Sequence, residues 1–149
     1  FGGDPNRIHI SGHSAGGHLT AMMLSTDWAE RGELKITLAG GIAISGLFDL
    51  TPILKTSIND EVQLDMTSAW RNSPSGFLPA SGAPFIAAVG GNETDEFLRQ
   101  SRDYAAAWNE HSGDGQYLPL AKFHHFDVVC ELGRSGSELN DAVLAQIGA

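Results

Sequence analysis

The run Ile8-His9-Ile10-Ser11-Gly12-His13-Ser14-Ala15-Gly16-Gly17-His18-Leu19 constrains this chain more than any other stretch. It reads as a strand, a very sharp turn with Ser14 at its apex, and the start of a helix. Glycines stand two residues to either side of Ser14, because a turn this tight brings backbone against backbone and leaves no space for a Cβ. Gly-x-Ser-x-Gly in this setting is the pattern of a nucleophile elbow. The strained turn lifts the Ser14 hydroxyl clear of the sheet's end, where a base can reach it, and the Ala15 N–H points where an oxyanion would form. Five residues alone recur by chance, so the flanks decide. Asp4-Pro5-Asn6 is a turn signal, Arg7 to Ile10 is a strand pattern, and Leu19, Met22 and Met23 lay an apolar stripe on a helix expected from Ala15 to about Thr26.

Beyond the elbow, strand and helix patterns keep alternating, which is the signature of a mostly parallel sheet with helices on its faces. A second strand is expected near Ile36 to Ser45, almost continuously apolar as a strand covered on both faces must be. A third runs from Pro84 to Val89 and a fourth from about Tyr117 to Phe123. The helix after the third carries Phe97, Ser101, Tyr104, Ala105 and Trp108 on one stripe, with Thr94 as its N-cap and Asp95 and Glu96 suiting the dipole of its first turn. A closing helix takes Leu139, Val143 and Ile147 as its buried face. Residues 46–84, rich in Ser, Asn and Pro, read as an excursion of loop and short helices over the active end of the sheet. Leu47, Phe48, Trp70 and Phe77 then either line a pocket or pin the excursion to the core.

At 149 residues and 42% hydrophobic content, the chain is expected to form one globular domain with a good core. No apolar run approaches a membrane span. A net charge of −9 with nine Lys and Arg argues against nucleic acid or an anionic membrane as partner and leaves small molecules open. The single cysteine, Cys130, excludes an internal disulfide; it lies in the apolar run Val128-Val129-Cys130 and is expected in the core of a cytoplasmic protein. Neither Gly2-Gly3 nor Gly40-Gly41 is followed by the Gly-Lys-Ser/Thr of a phosphate loop. His124, His125 and Asp127 are close in sequence, but neighbours on an extended chain point to opposite sides, so they do not read as a metal site. No cofactor is called for.

Ligands of open parallel sheets bind beyond the carboxyl ends of the strands. Ser14 follows the first strand, Glu93 or Asp95 the third, and His124 or His125 the last. A serine hydroxyl becomes a nucleophile when a neutral imidazole takes its proton, and a carboxylate holds that imidazole in one tautomer. Nucleophile, acid and histidine in that chain order match an α/β-hydrolase and not the other Ser-His-Asp folds. His13 and His18 flank the serine; His13 is expected to pack under the elbow, and either is a candidate for substrate contact, with Leu47 and Phe48.

Four blocks carry a resemblance: Phe1 to Leu19, Ile44 to Leu50 (Ile-Ser-Gly-Leu-Phe-Asp-Leu), Gly90 to Ser101 (Gly-Gly-Asn-Glu-Thr-Asp-Glu-Phe-Leu-Arg-Gln-Ser), and His124-His125-Phe126. Together they resemble the kynurenine formamidase and carboxylesterase branch of the α/β-hydrolases, over nearly the whole chain. The resemblance implies that residues 1–149 form the C-terminal portion of a single α/β-hydrolase domain, with about four strands. It implies Glu93 as the acid, separated by two residues from the Glu-Phe pair that follows it in the family, with Arg-Gln-Ser after that, and His125, which precedes a phenylalanine, as the base. The family's His-Gly-Gly oxyanion loop would precede Phe1, so the second oxyanion donor is expected from outside these residues. The function expected on these grounds is a serine hydrolase acting on a small ester or an N-formylkynurenine-like aryl formamide through an acyl-enzyme. The alternatives are a catalytically silent ligand-binding protein on the same frame, or an inactive fragment of the enzyme. On this reading the elbow strand is expected at a bare sheet edge, covered by a missing N-terminal half or by a second copy in a homo-oligomer.

Overall fold

In the computed structural model, which describes residues 2–30, 37–77, 79–80 and 82–148, strands and helices alternate and all the strands run parallel. The strands are β1 (Ile8–His13), β2 (Leu38–Ile44), β3 (Phe85–Gly90) and β4 (Gly115–Leu120). They lie side by side in chain order, β1-β2-β3-β4. The main helices are α1 (Ala15–Ser25), α4 (Asp95–Ser112) and α5 (Glu138–Ile147); α2 (Ile58–Val62) and α3 (Met66–Arg71) are short and belong to the excursion, between 3-10 turns at Thr51–Lys55 and Pro74–Gly76.

Period-two alternation along buried strands builds two cores. Ala43, Phe85 and Ala87 face α1 and α4, meeting Leu24, Tyr104, Ala105 and Trp108; Phe48 stacks on Tyr104 with ring centroids 4.3 Å apart. Burial pushes the Tyr104 hydroxyl up to about 12, against a partly opposing bond to Ser25 Oγ. On the opposite face Ile42, Ile44, Ile86, Ala88, Leu118 and Leu120 meet Val128 and Leu139. Helices therefore cover both faces, and β3 is buried along its whole length.

Several element ends differ from expectation for local reasons. β1 continues past Ile10 to His13, because its partner β2 runs in register to Ile44. β2 is described from Leu38; the expected start at Ile36 lies outside the described residues. β4 runs from Gly115 to Leu120 rather than to Phe123, ending in the turn that carries the last loop away from the sheet. The α1 stripe is corrected most. Gly17, Thr20, Ala21 and Leu24 are its buried residues, while Leu19 is 57% exposed. Small residues face the sheet because α1 lies so near it that a Cβ on Gly17 would stand 3.1 Å from Ile44 O at the end of β2, and 2.8 Å from Gly46 Cα just beyond it. Thr94 is the N-cap of α4 by position, without a side-chain cap bond. Cys130 is exposed: in the 3-10 segment Val128–Gly133 it is Val128 and Glu131, three residues apart, that turn inward. Among the described residues no helix is long and apolar enough to cross a membrane, and β1 has no strand neighbour on its outer side.

Candidate active site

A parallel sheet brings all its carboxyl ends to one rim, and the residues that follow the four strands meet there. Ser14 follows β1 directly, with φ 57° and ψ −116°, a left-handed conformation that non-glycine residues rarely hold. Its N–H donates to Ile44 O at 2.9 Å, and its carbonyl accepts the first helical bond from His18 N–H at 3.0 Å. Strand end and helix start thus fix the turn from both sides. The glycine requirement is one-sided: a Cβ at Gly12 would fall on the Gly16 carbonyl, whereas a Cβ at Gly16 would meet nothing within 4 Å.

Glu93 and His125 come together because two loops touch. A Cβ at Gly91 would stand 2.6 Å from Ala121 Cα, and one at Gly90 would press on the Phe123 carbonyl. The pair of glycines therefore lets the loop after β3 lie against the loop after β4. Gly91 N–H to Leu120 O (2.8 Å), Asn92 N–H to Phe123 O (3.0 Å) and the Asn92 side chain to Lys122 O (3.1 Å) close the seam.

Across that seam runs a chain of hydrogen bonds. Glu93 has a side chain only 1% exposed, and its Oε2 lies 2.7 Å from His125 Nδ1. Its Oε1 accepts from Gly90 N–H at 2.8 Å and from the Ser45 hydroxyl. A buried carboxylate accepts, so Nδ1 carries the proton and donates it; Nε2 is then the free lone pair, and Ser14 Oγ lies 3.0 Å from it, placed to donate. The imidazole is packed by three rings: His13 at 4.7 Å, Phe97 at 4.8 Å and Phe126 at 5.2 Å between centroids. His13 Nε2–H also donates to the His125 carbonyl at 2.7 Å, tethering the histidine's own backbone to the end of β1.

The alternatives raised by the sequence fall elsewhere. Asp95 is exposed as the first residue of α4. His124 is exposed and faces Asp127, with Nε2 3.3 Å from Oδ2, and Asp127 also accepts the His124 N–H at 2.6 Å, so this pair shapes the turn that presents His125. His18 Nε2–H donates to Asn72 O at 2.7 Å, tying α1 to the excursion. Phe48, expected as a substrate contact, is corrected to a core residue: it is 1% exposed, stacked on Tyr104 and edge-on to Phe85 at 6.1 Å. Leu47 is half-buried beside it, Trp70 is 69% exposed and Phe77 43% exposed. A cleft of about 250 Å³ lies under the excursion, lined by Phe48, Asp49, Ser75, Phe77, Arg99 and Asp103 among others, so Phe48 and Phe77 do line a pocket, but Ser14 and His125 are not in its walls. Among the described residues no group of three or more His, Cys, Asp or Glu is placed to hold a metal ion.

Two residues of the site's frame went unread in the sequence. Gln100, 4% exposed on α4, accepts the N–H groups of Phe48 (2.7 Å) and Asp49 (2.8 Å) with one oxygen and donates to Asp49 O, so a single amide fastens the start of the excursion. One turn earlier, the Arg99 guanidinium holds the Glu96 carboxyl below its usual range, and Glu96 in turn raises Arg99. The other is Ser45. Its sequence signals are its place at the end of the second strand and inside one of the blocks that carry the resemblance.

No family model matches the chain. It is 34% identical over 147 residues to a kynurenine formamidase of Salmo salar and 33% identical over 146 residues to one of Danio rerio. Each match covers 95% of this chain and 50% of the relative, so the chain spans about half the length of the curated relatives it matches. Among solved structures, a protein of Silicibacter sp. TM1040 superposes with a TM-score of 0.73 at 31% identity, over 93% of this chain and 49% of that one. Thermogutta terrifontis esterase 2 bound to propionate (TM-score 0.67, 21% identity, 97% and 57% covered) and Pyrococcus horikoshii acylaminoacyl peptidase (0.67, 20%, 95% and 24%) share the fold.

Proposed function

From the α/β-hydrolase architecture that these likenesses share with the chain, we propose that Ser14, His125 and Glu93 are the nucleophile, base and acid of a serine hydrolase acting on a small carboxylic ester or aryl formamide. The observation that carries the reading is the unbroken chain Ser14 Oγ, His125 Nε2 and Nδ1, Glu93 Oε2, at 3.0 and 2.7 Å. Ser14 Oγ attacks the substrate carbonyl carbon as its proton passes to His125 Nε2. Negative charge gathers on the carbonyl oxygen, and the Ala15 N–H, first of its helix and without an intrahelical acceptor, is the donor we assign to it. The imidazolium is stabilised by Glu93, returns its proton to the leaving alcohol or amine, and leaves an acyl- or formyl-serine. Water, deprotonated by the same His125, then releases the acid.

The kynurenine formamidase relatives favour the formamide over the ester. A fluorophosphonate probe on the full-length protein is expected to label Ser14, and N-formylkynurenine is expected to be cleaved faster than short p-nitrophenyl esters. Ser14→Ala is expected to abolish labelling and lower kcat on the order of 10⁴- to 10⁶-fold with the fold retained. Retention of more than about a tenth of the activity by Ser14→Ala overturns the assignment, since lost substrate contacts cost far less than a lost nucleophile.

A further inference from the structure

Ser14 and His125 meet although the strands that present them stand at opposite sides of the sheet. β2 and β3 lie between β1 and β4, which puts the two strands roughly 14 Å apart at three strand spacings. Residues 121–127 must therefore run back along the rim to bring His125 to the elbow. On the β3 side that return is fastened at Lys122, Phe123 and His125, by the Asn92 side chain, the Asn92 N–H and Glu93 in turn. On the β1 side, among the described residues, two hydrogen bonds reach it: Ser14 Oγ–H to His125 Nε2, and His13 Nε2–H to the His125 carbonyl. A carbonyl only accepts, so His13 carries a hydrogen on Nε2, and the 2.7 Å bond joins groups 112 residues apart.

The two bonds differ in when they exist. On the proposed mechanism Ser14 Oγ is esterified for as long as the acyl-enzyme lasts, so it has no hydrogen to donate and its bond to His125 is gone. The His13 bond is then what ties the loop to β1. We infer that His13 is a positioning residue that holds His125 in place for deacylation, an inference that rests on the Ser14–His125–Glu93 reading. In that step water gives a proton to Nε2 as its oxygen bonds to the acyl carbon, and Nε2 passes the proton to Ser14 Oγ as the acyl–Oγ bond breaks. Nε2 must stand within hydrogen-bond reach of both oxygens, and a misplacement of about 1 Å costs about 10²-fold in rate. A tie through the His125 main chain leaves Nδ1 to Glu93 and Nε2 to the chemistry. In the free enzyme Ser14 itself holds the imidazole, so acylation depends on His13 less.

The His13 ring also packs 4.7 Å from that of His125, so the variants must separate ring from bond. His13→Phe keeps a ring and removes the donor, while His13→Gln keeps an N–H at similar reach. In stopped flow with p-nitrophenyl acetate and the full-length protein, His13→Phe is expected to lose about ten- to a hundredfold in the deacylation rate constant and less than about threefold in that of acylation. Once deacylation limits turnover, kcat and KM fall together, kcat/KM stays within about threefold of the parent, and mass spectrometry of quenched enzyme finds acetylated Ser14 accumulating. His13→Ala is expected to behave as His13→Phe does, and takes its place if the phenylalanine variant does not fold. His13→Gln is expected to keep deacylation within about fivefold of the parent. Acylation and deacylation slowed equally, deacylation within about twofold of the parent in His13→Phe, or His13→Gln as slow as His13→Phe each overturns the inference while leaving the hydrolase reading intact. If Ser14→Ala keeps its activity, the reading and the inference fall together.

Discussion

At Gly12 a Cβ collides with backbone, while at Gly16, the mirror position of the Gly-x-Ser-x-Gly pattern, it stands in open space. Gly12→Ala is expected to drive the strand end and helix start apart and to cost about 2 kcal/mol or more. Gly16→Ala is expected to stabilise by about 0.5–1 kcal/mol, the usual gain on replacing a helical glycine. Urea unfolding of the two variants, read against the parent, measures this asymmetry. The acid is decided at the same scale. Glu93→Gln is expected to lower kcat by about 10³- to 10⁴-fold, as when the carboxylate behind a catalytic histidine becomes an amide. Asp95→Asn is expected to stay within about threefold of the parent, because Asp95 lies exposed at the start of α4, outside the hydrogen-bond chain. Steady-state kinetics showing the reverse order would exchange their roles. Ser14 and the histidine pair are legible as candidates because motif and strand placement bind them tightly; Glu93 is preferred to Asp95 by the family resemblance and by its place in the loop before the first turn of α4, whereas His125 is preferred to His124 by the resemblance alone, because propensity rules do not reveal which of two neighbouring side chains faces the rim.

The start of the excursion hangs on one side chain. Gln100→Ala leaves the N–H groups of Phe48 and Asp49 without their shared acceptor in a buried seam, an expected loss of about 2–4 kcal/mol in denaturant unfolding. Its neighbour Glu96 sets a pH dependence. The folded-state carboxyl is held low by Arg99, so its contribution is present above the unfolded-state value near 4.5 and is lost as pH falls through the lowered folded value. Both partners are more than a third exposed, so the contribution is no more than a few tenths of a kcal/mol. Glu96→Gln is therefore expected to be slightly less stable than the parent at pH 7 and to converge with it in the acid range, as thermal unfolding between pH 7 and 3 would show. The helix pattern of α4 was readable because large apolar residues mark its buried stripe. That of α1 was misread because glycine, threonine and alanine face the sheet there, and hydrophobic periodicity weighs large side chains at positions where closeness of approach matters.

Across the whole molecule, protection is expected to fall from the centre of the sheet outward. β3 is paired on both sides and fully buried, whereas β1 pairs on one side and Ile8 is 42% exposed. Hydrogen exchange of the 149-residue chain is expected to be slowest at Ile86 to Val89 and fast at the β1 amides that point away from β2. Uniform protection across β1 would mean that a second chain or another segment covers that edge. The alternation of strands and helices, the elbow and the order of its chemical groups can be read along the chain, since these rest on local rules: periodicity, turn residues and the steric demands of glycine. That Ser45 reaches Glu93, that Gln100 fastens the excursion and that Phe48 is core follows from tertiary contact, because each depends on which residues 37 to 56 positions apart are brought within hydrogen-bond or packing distance. That pairing comes from the register of parallel strands and the touching of their loops, and no periodicity along the chain records it.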